Sequence, residues 1–259
     1  MHKIFHIINV NITNGETIKL RRLDTICLFV VSGLERGFMG LDMYLYRAKK
    51  VKGAKAEDIN KIDSYFDYLN RPKEYKDTSM EKWCGISKRN IRRSLIPYYE
   101  SEVKITYSSW DTEKRWPRVS ILENVMYWRK ANQIHNYFVT YVQKGVDDCG
   151  IYRVYKHHLV DLLKRCKSIV HNCELVDGEV YVGISYKDGK PVKNLVKGKV
   201  MTNTEYIDKV LPSTDGFFFG STEYDEYYRR DLDDTILMLE HLLHTTDFKR
   251  EVILYRSSW

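Results

Sequence analysis

Missing from this sequence are the features that would assign it a class at sight. No run approaches the ~20 consecutive apolar residues of a membrane-spanning helix. Cysteine is sparse and its count is odd: Cys27, Cys84, Cys149, Cys166 and Cys173. No two of these have the two-residue spacing of a zinc knuckle or a redox pair, so reduced thiols in a reducing compartment are expected. There is no phosphate loop, dinucleotide fingerprint, zincin helix or serine-hydrolase elbow. Repeats, low-complexity tracts and a clear linker are absent too. Neither charge sign dominates: 42 basic and 35 acidic residues leave a net charge of +7. The clearest basic run is Lys88, Arg89, Arg92 and Arg93. It reads as a solvated face first and as a nucleic-acid contact only second.

What the chain has instead is a composition that folds. A hydrophobic fraction of 43% with 30% charged residues excludes a disordered chain. Tyrosine is abundant, with 20 residues. Its ring can be buried while its hydroxyl stays wet, which suits half-buried helix faces and groove walls.

Residues 1 to 38 differ from the rest of the chain. Leu34-Glu35-Arg36-Gly37-Phe38 precedes Met39, and Glu, Arg and Gly codons can imitate a ribosome-binding site. We therefore read 1–38 as an upstream extension or a loosely packed arm, and 39–259 as one globular domain. From Met39 the chain reads as a strand. Ile59, Ile62, Tyr65, Phe66 and Leu69 recur at helical steps over 57–69. The strongest periodicity spans 121–143, where Val125, Ala131, Ile134, Phe138, Tyr141 and Val142 form an apolar stripe ended by Gly145. A second helix starts at His157. Asp177-Gly178 and Asp188-Gly189 are hairpin-turn dipeptides flanking an alternating strand over 180–186. Phe217, Phe218 and Phe219 form a strand-like run. A last helix over 222–244 carries Thr222 and Asp225 at capping-box spacing. The expected fold is α+β: a helix-rich single domain with a small, mostly antiparallel sheet or hairpin. The 121–143 and 222–244 helices should pack together.

Candidate chemistry concentrates on the 121–143 segment. In a continuous helix, Trp128, Asn132 and His135 share one face beside the apolar stripe. Buried polar groups need partners, and either the backbone or a ligand can supply them. Trp128 would then be a stacking wall, Arg129 and Lys130 would reach an anion, and Asn132 and His135 would fix its polar edge. Asp147 and Asp148 come after the helix; Asp148, Ser221 and Thr222 complete the candidate ligand site. Asp147 or Asp148 with His135 also allows a metal-assisted hydrolase, although neighbouring strand residues point to opposite faces. Cys149 is a lesser candidate for a thiol nucleophile. No catalytic residue, metal or cofactor is assigned.

Several blocks together resemble a family of uncharacterised bacteriophage and prophage proteins. They are Met39-Gly40-Leu41-Asp42-Met43-Tyr44-Leu45, Trp128-Arg129-Lys130-Ala131-Asn132-Gln133-Ile134-His135, Val146-Asp147-Asp148-Cys149-Gly150 and Gly216-Phe217-Phe218-Phe219-Gly220-Ser221-Thr222-Glu223-Tyr224-Asp225-Glu226. The resemblance implies a phage-encoded protein of the host cytoplasm and carries no catalytic role. The functional expectation is a protein that binds a small anionic or nucleotide-like ligand. The alternatives are the hydrolase and a module that binds a host protein through its tyrosine-rich surface. No membrane association is expected.

Overall fold

Alternation shapes the first half of β1 (Asp42–Lys49) and then slips, so that Ala48 and not Arg47 is buried. Met43 and Leu45 are fully buried on one face, while Tyr44 and Tyr46 stand half-buried on the other. The protein is described here by a computed structural model, which covers residues 40–70, 91–107, 117–187, 190–216 and 218–259. All of these belong to one compact unit, Gly37–Trp259. The expected extension 1–38, Met39, Cys27, Cys84, Lys88, Arg89 and Phe217 lie outside the described residues.

Two strands flank β1 antiparallel: β4 (Glu123–Arg129) and β8 (Glu251–Ser258). The edge strand β5 (Ile151–Val154) pairs with the far side of β8, giving the order β4-β1-β8-β5. Two separate ribbons complete the strands among the described residues: β2 (Lys104–Tyr107) with β3 (Pro117–Ser120), and β6 (Leu175–Lys187) with β7 (Lys190–Met201).

The helices divide between the faces of the main sheet. α1 (Ala56–Asn70) turns Ile59, Ile62 and Phe66 inward. With Tyr99 of the one-turn helix α2 (Ile96–Tyr99) it packs on Val252 and Leu254. The opposite face carries α3 (Asn132–Tyr141), α4 (Lys156–Asn172), α5 (Thr204–Val210) and α6 (Glu226–Thr245). There Phe138 stacks on Tyr255 with ring centroids 4.1 Å apart. Residues Val252 to Tyr255 of β8 are therefore buried on both sides. Each such large apolar side chain contributes roughly 1.5–3 kcal/mol by leaving water. The architecture is α+β with antiparallel sheets, as the sequence patterns indicate. Among the described residues no helix is long and apolar enough to cross a membrane.

Several local expectations are corrected. The segment 121–143 is not one helix. Met126 and Trp128 point inward two residues apart, which is a strand period, and Lys130 then adopts a left-handed φ of 59°. The chain turns there and α3 begins. Asp177-Gly178 makes no turn; it lies inside β6 opposite Lys199 and Gly198. The β6–β7 ribbon closes instead where Lys187 meets Lys190, with 188–189 outside the described residues. Phe218 and Phe219 belong to an irregular loop, not a strand. α6 starts after Asp225, whose carboxylate accepts from the Tyr227 and Tyr228 amides, so Thr222 is no cap. Against the expectation that 121–143 would be its partner, α6 packs mainly along α4.

Candidate functional site

Trp128, Asn132 and His135 lie along a strand-turn-helix junction and not on one helical face, and each bonds to a different part of the protein. The junction is built by backbone bonds: Lys130 N–H donates to Leu41 O at 2.8 Å and Asn132 N–H to Lys130 O at 2.9 Å. Behind it, the Trp128 indole donates to Thr235 Oγ1 of α6 at 2.8 Å. Asn132 is 1% exposed and holds the loop that precedes α6. Its amide nitrogen donates to Phe219 O (3.2 Å) and Ser221 O (2.7 Å), and its Oδ1 accepts from Thr214 N–H (3.0 Å).

His135 is sealed just as tightly, at 1% exposed. Its Nε2 lies 2.9 Å from Asp147 Oδ2 and its Nδ1 2.8 Å from the Tyr255 hydroxyl. A carboxylate only accepts, so Nε2 carries the proton and Nδ1 accepts from Tyr255. Burial lowers the histidine pKa, opposed by Asp147, and pushes the Tyr255 hydroxyl far up. The second Asp147 oxygen accepts from the Trp259 indole at 3.1 Å. Both ring nitrogens of His135 and both oxygens of Asp147 thus bond to protein atoms. The cluster resembles a catalytic dyad in composition, but it lacks a nitrogen free to take a substrate proton.

The remaining expected site residues lie at the surface. Arg129, Lys130, Ser221 and Thr222 are exposed. Asp148 is exposed as well; it accepts from Gly150 N–H and from the Tyr152 hydroxyl and takes no part with His135. Cys149 is half-buried with φ 54°, and no histidine among the described residues bonds to it. No group of three or more His, Cys, Asp or Glu side chains is placed to hold a metal among the described residues. Known proteins give no guide. No family model, curated protein or solved structure matches the chain.

A different place on the molecule forms an open, largely apolar cleft rimmed by cations. Where β5 ends and β8 begins, a cleft of about 650 Å³ opens between the start of α4 and the turn before β8. Lys50, Arg153, Lys156 and His157 line it, with Tyr155 and Phe248 as aromatic walls. The Arg153 guanidinium lies over the Tyr155 ring at 5.1 Å and Lys156 Nζ over Phe248 at 5.5 Å. The Tyr155 and His157 rings are nearly parallel, with centroids 5.7 Å apart. Lys50 Nζ donates to Phe248 O at 3.2 Å. Among the described residues, none of Lys50, Arg153 and Lys156 has a carboxylate partner. The one acidic lining residue, Glu251, is engaged by Arg47 and by the Asp247 amide. The first turn of α4 carries no acidic residue. The sequence signal was present in Arg153-Val154-Tyr155-Lys156-His157, but Lys50 and Phe248 reach it only through the fold.

Proposed function

We propose that the protein binds a small anionic, nucleotide-like ligand, and that it does so in the cleft at the start of α4. The observation that supports this reading is the unbalanced charge of that cleft: three permanent cations and a histidine face one carboxylate that is already paired. Phosphate groups replace the cation–π contacts of Arg153 and Lys156 with charge-assisted hydrogen bonds, which are stronger. A base stacks against Tyr155. The phage-type origin and the host-cytoplasm setting suggested by the resemblance belong to the same proposal.

Thermal unfolding with adenosine triphosphate and with inorganic pyrophosphate tests it. At a hundredfold excess over Kd the native state gains about 2.7 kcal/mol, a readily measured rise in melting temperature. The double variant Arg153→Glu, Lys156→Glu loses that rise, whereas Arg129→Glu with Lys130→Glu keeps it. A wild-type protein indifferent to both ligands rejects the proposal. If the rise depends on Arg129 and Lys130 instead, the ligand sits near the β4–α3 turn.

A host-protein interaction module is the second reading. It is favoured by the β6–β7 ribbon, which exposes Val182, Val192, Leu195 and Val196. A hydrolase using His135 with Asp147 or Asp148 finds no support in their bonding.

A further inference from the structure

The β4-β1-β8 part of the main sheet carries a second constellation, whose residues do not line the cleft. Tyr44 of β1 stands opposite Tyr127 of β4 and opposite Arg256 of β8. Tyr46, two residues along β1, shares its face and stands opposite Asn124. The Tyr44 and Tyr46 rings are nearly parallel, with centroids 5.7 Å apart, and Tyr127 lies 5.2 Å from Tyr44. Tyr44 and Tyr127 join neither hydrophobic cluster. α1 and α2 cover the Ala48, Val252 and Leu254 end of this face, and Tyr46 packs against that cluster.

Two exposed arginines and an exposed asparagine stand around the rings. Arg129 and Arg256 are exposed and close enough to act on Tyr44, and neither has an ion-pair partner among the described residues. Asn124 is exposed beside Tyr46. The one carboxylate nearby, Asp42, accepts from the Tyr127 hydroxyl at 2.5 Å, which fixes that ring. Tyr44 and Tyr127 are half-buried rings that belong to neither cluster, and such rings can take a stacking partner. Unpaired guanidinium groups at the margin select an anionic partner.

We infer that this face binds single-stranded nucleic acid: bases stack on Tyr44 and Tyr127, and Arg129 and Arg256 hold the backbone phosphates. Aromatic platforms flanked by cations bind single strands because every base has a π-face, while a paired duplex hides its bases in the stack. Asn124 supplies an amide at the edge of the platform for a base edge. Because the cleft residues take no part, this inference stands apart from the ligand proposed there.

Fluorescence anisotropy with labelled oligouridine and oligothymidine of about 12 nucleotides, at ~50 mM salt, provides the test. Wild-type protein should bind at least one of them and bind the matching duplex more weakly. Arg129→Glu with Arg256→Glu changes exposed side chains only, and should abolish binding with the melting temperature unchanged. Tyr44→Leu with Tyr127→Leu should weaken it by roughly tenfold or more, as loss of stacking requires. Arg153→Glu with Lys156→Glu should leave it intact. Preference for uridine over thymidine assigns RNA, and the reverse assigns DNA. Absence of binding by the wild type, equal affinity for duplex, or affinity unchanged in the arginine variant would overturn the inference.

Discussion

Asn132 shows how a residue that looks like a ligand group can serve as a structural tie. Its three hydrogen bonds reach backbone groups of Thr214, Phe219 and Ser221. Asn132→Ala should therefore destabilise the protein by about 2–3 kcal/mol, since buried backbone groups lose their partners. Urea denaturation checks this, and an unchanged midpoint would make Asn132 a ligand contact again. A second residue-scale prediction concerns pH. Burial raises the Asp231 carboxyl from 3.8 to about 6, against the Gln133 amide that donates to it. A raised acid binds its proton more tightly in the folded state, so its ionisation costs stability as pH rises from about 4 through about 6. His135 works the other way: its lowered pKa favours the fold above 6.5, and that contribution is lost as pH falls. Asp231→Asn should thus be more stable than wild type at neutral pH, with the difference vanishing near pH 4. A pH-independent difference between the two proteins would mean that Asp231 does not titrate with folding.

At the scale of elements, the β4–α3 junction depends on two left-handed residues pressed together. Lys130 has φ 59° and Gly220 has φ 89°, and a Cβ on Gly220 would come within 3.0 Å of Lys130 Cβ. Gly220→Ala should cost ~1–3 kcal/mol from backbone strain and crowding, while Lys130→Gly should be neutral or stabilising. Calorimetry on the two variants checks the pair; equal effects would show that the contact is relaxed. The same junction marks the limit of legibility. The first half of β1, α1 and the body of α4 could be read because their apolar positions keep one period there. Residues 121–143 could not, because Met126 and Trp128 keep period two while Ile134 and Phe138 keep the helical one, and the break between them rests on Lys130, a residue with no turn preference. The partners of His135 were half visible: Asp147 is near in sequence, but Tyr255 arrives on a strand that was not anticipated.

At the scale of the whole molecule, β8 carries residues of both hydrophobic clusters. Its run Val252-Ile253-Leu254-Tyr255 is buried on both faces, so it lacks the alternation that reveals a strand with one wet side. Strand length and β-branching were the signals left to find it. Leu254→Ala should cost about 2–5 kcal/mol and lower the cooperativity of the whole domain, because both hydrophobic clusters meet at that strand. A thermal melt in which only the α1 layer loosens would show the two clusters to be independent.

The position of β8 also governs how the chain is made. Of the described strands β1 emerges first from the ribosome, but one of its two partners is β8, Glu251–Ser258. Until that segment is synthesised, Met43, Leu45 and the apolar faces of α3, α4 and α6 have no complete sheet to pack on. The nascent chain must therefore carry sticky surface for most of its synthesis, and its dependence on chaperones should rise whenever translation slows between β4 and β8.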